Sequence, residues 1–254
     1  MRRLSFKAIA CGVLVLLSVS LCAFAVRAIV DEVEHGSDRR ALERLQTQVA
    51  NVKAGKQDTI WFDNEIGDVE PAEFGIALRG LKTVGHFQLR LEYSHNLDAI
   101  FKEVRGLPGL TVVIVYKSDL TDKGMEYLAT LPDLERLLLV SSCVTDKGIQ
   151  ELASTQKLKH LTIQPRVTEG LTVPAIVSLP ITSILIEEPY EEDWLKTGIE
   201  EIEVAPTLQT LSLYCPKLSA AAVECLRSKV PNCKVRAFDG TNHEANEILP
   251  IPDN

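Results

Sequence analysis

The feature that most constrains this fold is a tetrapeptide, TDKG, that occurs twice at a spacing of 24 residues. It covers Thr121 to Gly124 and Thr145 to Gly148. When LTVVIVYKSDLTDKGMEYLATLPD is aligned with LERLLLVSSCVTDKGIQELASTQK, apolar residues fall at the same positions, 1, 4, 6 and 11. A fixed period of this length is typical of a repeat architecture, in which each unit buries its apolar face against its neighbours.

Further copies of the pattern occur on both sides of this pair. They start at Val84, Leu158, Ile181 and Leu208. In the Val84 copy, Phe87 takes position 4 and Leu89 takes position 6. TIWFDN predicts a still earlier strand, and CKVRAF predicts a terminal strand. The repeat domain is therefore expected over residues 58–238.

Each unit is predicted to be a strand followed by a helix. Leu137 and Leu139 alternate with outward residues, as in a strand, whereas Ile149 and Leu152 have helical spacing. The Thr-Asp pair suits the start of a helix because a side-chain oxygen can accept from the unpaired amides of the first turn. Gly at the fourth place indicates a close approach of backbone or an unusual backbone angle.

The pattern L-x-x-L-x-L, followed by an apolar residue and TD-x-G, resembles the leucine-rich repeats of bacterial proteins in the ribonuclease-inhibitor-like superfamily, close to their cysteine-containing subtype. Residues 134–152 carry the resemblance best, and VPNCKVRAF is similar to the closing strand of such proteins. The resemblance implies an α/β fold, a right-handed solenoid with a curved parallel sheet inside and helices outside. It also implies protein binding, and no catalytic residue comes with the motif.

The N-terminus, residues 1–27, is predicted to be a signal peptide or a signal anchor. A basic start, MRRLSFK, precedes uncharged and mostly apolar residues 8–26. These residues could be cleaved after AFA, or could span the cytoplasmic membrane as a transmembrane helix. By the positive-inside rule, we expect a single-pass protein with its C-terminal domain outside the cytoplasm, in the cell envelope, or a secreted or periplasmic protein if the signal is cleaved.

Two further segments flank the repeats. Residues 28–57 are predicted to form a helical stalk or a cap on the first repeat, because Leu42, Leu45, Val49 and Val52 have heptad-like spacing. Residues 239–254 are predicted to be an extended tail. The alternative function that this arrangement allows is a structural envelope or spacer protein that self-associates through the stalk.

Composition limits the ligands. The net charge of −8 argues against nucleic acid, which requires a basic face. Four cysteines lie outside the apolar segment, Cys143, Cys215, Cys225 and Cys233. They allow three disulfide pairings between which the sequence does not choose, or free buried thiols. No metal-site spacing, cofactor motif or catalytic motif occurs, so no metal, no cofactor and no enzymatic activity are expected.

The concave face is the predicted partner-binding surface, because strand positions 3, 5 and 7 should point away from the helices. Its candidate contact residues are Ile114, Tyr116, Arg136, Leu138, Val140, His160 and Tyr214. The apolar members of this set would form one exposed patch bordered by Arg136 and His160, and such patches often mark interaction sites. The alternative is that the N-terminal segment or the tail folds across the patch.

A second candidate contact is an acidic loop in the longest repeat. Its residues are Glu187, Glu188, Tyr190, Glu191, Glu192 and Trp194. Insertions in repeat proteins form loops that often bind partners, whereas the alternative is a solvated loop with its aromatic residues packed on the solenoid. The glycine-punctuated order of a calcium loop is missing. The sequence therefore predicts a non-catalytic scaffold for protein–protein interaction, with the partner and the oligomeric state unidentified.

Overall fold

The computed structural model describes residues 37–63, 69–166, 169–187, 202–215 and 220–238. One eight-stranded sheet, parallel throughout and in chain order, organises these residues. Its strands are β1 (Thr59–Asp63), β2 (Phe87–Glu92), β3 (Leu110–Tyr116), β4 (Arg136–Ser142), β5 (His160–Pro165), β6 (Ser183–Glu187), β7 (Thr210–Tyr214) and β8 (Lys234–Phe238). The described helices are α1 (37–53), α2 (Pro71–Arg79), α3 (Leu97–Val104), α4 (Asp122–Leu128), α5 (Asp146–Glu151), α6 (Val173–Val177) and α7 (Ala220–Lys229).

The strands bury one face against the helices and leave the other face open. Residues at positions 4 and 6 from β1 to β7, such as Leu137 and Leu139, are buried in one continuous hydrophobic core. Helices α2 to α6 contact one another in chain order. Neighbouring strands lie about 4.8 Å apart whereas packed helices lie about 8–10 Å apart, so a sheet with helices on one side curves with its strands inside. The open face is therefore the concave face, and the repeat-solenoid arrangement predicted from the sequence is confirmed at this level.

The two Thr-Asp pairs join their repeats to the neighbouring ones. Thr121 caps its own helix by accepting from the Lys123 amide at 3.2 Å. The neighbouring aspartate does something else: Asp122 accepts from the backbone amide of Thr145 at 2.8 Å and from its hydroxyl at 2.7 Å. Asp98 bonds Thr121 in the same way, and Asp146 bonds Thr172. This ladder of carboxylates is the physical reason for the TD repeat.

The glycine of TDKG makes room for the ladder. Neither Gly124 nor Gly148 has a positive φ. A methyl group at Gly148 would overlap Asp122 Oδ1 and lie 2.9 Å from Val144 Cγ1, and one at Gly124 would overlap Asp98 Oδ1. Of the two explanations that the sequence allowed, close approach is therefore the correct one. The group that approaches is the aspartate of the preceding repeat.

Helix α1 lies against the first edge of the sheet. Its apolar side chains Ala41, Leu45, Val49 and Val52 belong to the same hydrophobic core as the strands. The Gln48 amide donates to the Trp61 carbonyl and accepts from the Trp61 amide, both at 2.7 Å. A side chain thus satisfies backbone groups of β1 that an edge strand would otherwise expose to another chain. Residues 37–53 are therefore packed onto the repeats.

The membrane part of the predicted fold requires correction. None of the helices in the described ranges is both long and apolar enough to cross a membrane. Helix α1 carries exposed charges, among them Arg39, Arg40 and Glu43, on the side turned from the core. The predicted transmembrane segment, residues 8–26, lies outside the described residues, as do the rest of residues 1–36 and the tail, residues 239–254. The fold is an α/β fold with an eight-stranded parallel sheet, and a single-pass membrane protein is not supported.

The register of the first predicted repeat is wrong by two residues. The sequence predicts Phe87 at position 4 and Leu89 at position 6. In the structure, Leu89 pairs with Val113 and Leu91 pairs with Val115. Leu89 therefore occupies position 4, and Leu91 occupies position 6. The alternation is preserved because a shift of two residues returns each side chain to the same face. A register irregularity between Phe87 and Gln88 separates the strand from its leading apolar residue.

The four cysteines that the sequence left open for pairing, 143, 215, 225 and 233, form no disulfide with one another in the structure. Cys215 is buried and Cys143 is half-buried, whereas Cys225 is exposed. Burial raises the pKa of the Cys233 thiol. The folded repeats are therefore held by packing and hydrogen bonds without these covalent links.

Candidate functional site

The open face consists of three rows of side chains that run across the strands. The pairing of neighbouring strands aligns position 5 of every repeat, and the row reads Trp61, Arg90, Ile114, Leu138, Thr162, Leu185, Ser212 and Arg236. The predicted contact residues at positions 3 and 7 lie in the two flanking rows. The strands thus bring together residues that are 23 or more positions apart in the chain.

An aromatic cluster occupies the β1–β3 end of this face. The guanidinium carbon of Arg90 lies 5.8 Å from the ring centre of Trp61 and 5.2 Å from that of Tyr116. Arg90 also forms a salt bridge with Glu92. Partial burial raises the pKa of Tyr116, against the opposing effect of the Arg90 charge. We call these four residues the Trp61 cluster. Its central cation is held in place between two rings and a carboxylate.

The ring of Trp61 is the most exposed part of the cluster. Trp61 is 51% exposed, although it lies on a strand. It lines an open groove of about 870 Å³ together with residues of α1 that include Arg44 and Thr47. Large aromatic residues with a polar rim are over-represented at the centres of protein interfaces. The groove therefore extends the candidate surface beyond the sheet onto the capping helix.

The predicted apolar patch is present in part. Leu138 and Val140 are half-buried on the open face, next to Tyr116 in the register. Ile114 is only 6% exposed, and it lies between Arg90 and Leu138 in its row. Ile114 therefore offers little contact area. Leu138, Val140 and Tyr116 provide the apolar surface.

A second cation–aromatic pair lies where the strands end. Lys117 Nζ lies 4.9 Å from the ring centre of Tyr93 and 3.1 Å from its hydroxyl oxygen. Tyr93, Lys117 and Ser141 occupy equivalent places in three successive repeats, and all have left-handed φ values of 50°, 47° and 58°. Tyr93 is 40% exposed. Such backbone angles are uncommon outside glycine, and here they turn a tyrosine and a lysine outward at the same edge.

His160 lies on the open face, as predicted. It pairs in the register with Arg136 on one side and Ser183 on the other. Its Nδ1 atom is buried and has no hydrogen-bond partner among the described residues. Burial, followed by the nearby charges of Arg136 and Lys159, lowers the pKa of His160. The ring is therefore held in its neutral form more strongly than a solvated histidine.

The remaining predicted residues lie toward the C-terminal end of the sheet or outside the described parts. Tyr214 is half-buried and pairs with Glu187 across β6 and β7. Burial raises the pKa of Glu187. The rest of the acidic loop, Glu188, Tyr190, Glu191, Glu192 and Trp194, lies outside the described residues. Within the described ranges, no group of three or more histidine, cysteine or acidic residues could hold a metal ion.

Sequence reasoning missed Trp61, Arg90 and Glu92. The two-residue error in the first repeat placed Arg90 at position 7, and the strand containing Trp61 was not given positions at all. An aromatic residue flanked by alternating apolar residues, as in TIWFD, was the available signal. Searches against models of known protein families and among curated proteins find no match for this chain.

Proposed function

We propose that this chain is a non-catalytic scaffold of the leucine-rich-repeat type, similar to the ribonuclease-inhibitor-like superfamily, and that its open face binds a protein partner. The observation that carries the proposal is the exposure of Trp61 and Tyr93 in the half of the sheet that also carries the half-buried Leu138 and Val140. Tryptophan, tyrosine and arginine dominate the binding energy of protein interfaces. A chain with no partner would gain nothing from leaving these side chains in water.

The rigidity of the Trp61 cluster supports the same proposal. Arg90 is already stacked on two rings and paired with Glu92. A side chain fixed before binding loses less conformational entropy when a partner arrives. The cluster thus has the composition and the order of an interaction hot spot.

Self-association through residues 28–57 has less support. The apolar residues on which a coiled stalk would depend, Leu45, Val49 and Val52, are buried in the core of this chain. They could pair with a second copy only if α1 left the sheet. Of the four residues with heptad-like spacing, only Leu42 is left half-buried, so little apolar surface remains for the spacer function among the described residues of this segment.

The test is site-specific photocrosslinking in cells that express the full chain. A photoreactive residue replaces Leu138, and the matched control replaces Gln150, which is exposed on α5. A discrete product from position 138 alone is expected, and it should disappear in a Tyr116→Ala background. Equal labelling from both positions, or no product from position 138, would refute binding at the open face.

A further inference from the structure

The row at position 3 has an unusual composition from β4 to β8. Strand pairing aligns Arg136, His160, Ser183, Thr210 and Lys234 in consecutive strands. Each of these side chains can donate a hydrogen bond, and none is a carboxylate. We call these five residues the donor strip. The net charge of the chain is −8, so acidic residues are more common in it than basic ones, yet none occurs in the strip.

The polar groups of the donor strip have no partners among the described residues. Arg136 and Lys234 form no salt bridge there, and the hydroxyls of Ser183 and Thr210 form no side-chain hydrogen bond. The Nδ1 atom of His160 is buried without a partner. Of these residues, Arg136, Ser183 and Thr210 are half-buried and Lys234 is exposed, so their donors are open to an incoming acceptor.

Two lysines that are near the strip in the sequence do have acidic partners. Lys157 pairs with Asp133 at 2.6 Å, and Lys159 pairs with Glu135 at 3.1 Å. Glu135 directly precedes β4, and its charge partly opposes the lowering of the His160 pKa. The position-5 row from β4 to β8, which consists of Leu138, Thr162, Leu185, Ser212 and Arg236, also lacks acids, so the part of the open face without carboxylates is two rows wide.

Carboxylates collect on the opposite side of the open face. Asp63, Glu92 and Glu187 all lie at position 7. Four residues of strand separate positions 3 and 7, a distance of about 13 Å. Of these, only Glu187 on β6 lies opposite the strip, so a broad polyanion placed on the strip would meet its carboxylate, whereas a single extended peptide along position 3 would not. The charge pattern therefore fits a narrow acidic ligand better than nucleic acid.

We propose that the donor strip binds an extended acidic segment of the partner protein, an inference that rests on the function proposed above. Five strands span about 19 Å, which an extended chain covers with about six residues. Alternate residues of such a segment would direct carboxylates to the strip. The residues between them would face Leu138 and Leu185, which lie in the adjacent row at position 5. The partner's motif is therefore an acidic–apolar alternation.

The test uses a fluorescent heptapeptide, Asp-Leu-Asp-Leu-Asp-Leu-Asp, and the full chain. Matched peptides carry Asn or Lys in place of Asp. Fluorescence anisotropy measures binding to the wild type, to Arg136→Glu/Lys234→Glu, and to Lys102→Glu/Lys147→Glu. The last variant makes the same charge change on exposed residues of α3 and α5. We expect the Asp peptide to bind at least tenfold more tightly than the Asn peptide, and to lose at least tenfold in the strip variant alone.

The other outcomes overturn the inference in distinguishable ways. Equal binding of the Asp and Asn peptides, abolished by Leu138→Asp, would refute the strip but leave protein binding at the open face standing. Equal losses of affinity for the Asp peptide in the two charge variants would show that binding depends on the net charge of the protein and not on the strip, and would refute the inference. Tighter binding of single-stranded DNA than of the Asp peptide would refute an acidic peptide as the ligand and would indicate a polyanion. Absence of binding by every peptide would reject the strip, and the crosslinking at position 138 would still decide the proposed function.

Discussion

Replacing Gly148 with alanine separates the ladder explanation of TDKG from ordinary helix propensity. Alanine is favoured over glycine inside a helix by about 1 kcal/mol, so propensity alone predicts stabilisation. In this structure, the new methyl group would overlap Asp122 Oδ1. The carboxylate would then lose its bonds to the Thr145 amide, at 2.8 Å, and to the Thr145 hydroxyl, at 2.7 Å.

The expected magnitude follows from these two bonds. Hydrogen bonds to a charged group contribute about 1.5–3 kcal/mol each, and the half-buried setting of Asp122 favours the lower value. Loss of about 3 kcal/mol, offset by about 1 kcal/mol of propensity, gives a net destabilisation of about 2 kcal/mol. Urea denaturation followed by circular dichroism measures it. Gly85→Ala, where nothing lies within 4 Å, is the matched control and should change stability by less than about 0.5 kcal/mol.

A double-mutant cycle sharpens the test. In an Asp122→Ala background the carboxylate is already gone, so Gly148→Ala should be nearly neutral, because the gain in helix propensity of about 1 kcal/mol is offset by two remaining close approaches, 2.9 Å to Val144 Cγ1 and 3.0 Å to the Cα of residue 122. The coupling energy between the two positions should therefore be about 2 kcal/mol. A stabilising Gly148→Ala in the wild type, or a coupling below about 0.5 kcal/mol, would show that the glycine serves some purpose other than admitting Asp122.

Three further predictions follow from contacts within the described residues. Gln48→Ala should lower the free energy of unfolding by about 2 kcal/mol, because it removes two hydrogen bonds to the Trp61 backbone. Gln46→Ala, an exposed neighbour on α1, should be neutral in the same urea titration. Equal effects of the two substitutions would contradict a stabilising role for the Gln48 hydrogen bonds. Because burial lowers the pKa of His160, the unfolded chain takes up a proton at a higher pH than the folded chain; stability should therefore rise as the pH increases through the ordinary value of 6.5 and fall on acidification below it. His160→Gln should flatten that part of the profile, and an unchanged profile would count against the assignment. Amide hydrogen exchange should be faster in β7 and β8 than in β3 to β5, because Val173 replaces the aspartate and the described ladder stops at Thr172; equal protection would mean that the ladder adds little to the stability of a repeat.

The repeat itself was predictable because its residues repeat for physical reasons that act within 24 positions. The apolar residues at positions 4 and 6 must face the helices, and the threonine must cap its own helix. The partner of the aspartate was not predictable from one repeat, since its acceptor role is fulfilled in the next repeat. A single unit shows Asp122 at the start of a helix, where an acid is favourable anyway. Only two stacked units show that the carboxylate bonds Thr145.

The open face was harder to predict than the core because an error of register there does not place an apolar residue in solvent or a polar residue in the core. A two-residue slip in β2 keeps every apolar residue on the core side, so nothing in the hydrophobic pattern reveals it. The same error of two residues places Arg90 at position 7 instead of position 5. In that register Arg90 is no longer the neighbour of Trp61, so the sequence does not reveal the Trp61 cluster. A binding surface depends on which side chains are neighbours across strands, and alternation within a strand carries no information about that. The capping helix adds a second source of error, since the residues that face Trp61 come from a segment with no repeat. The core of a solenoid can thus be predicted from the pattern within each unit, whereas its binding face can be predicted only when the register between units is known.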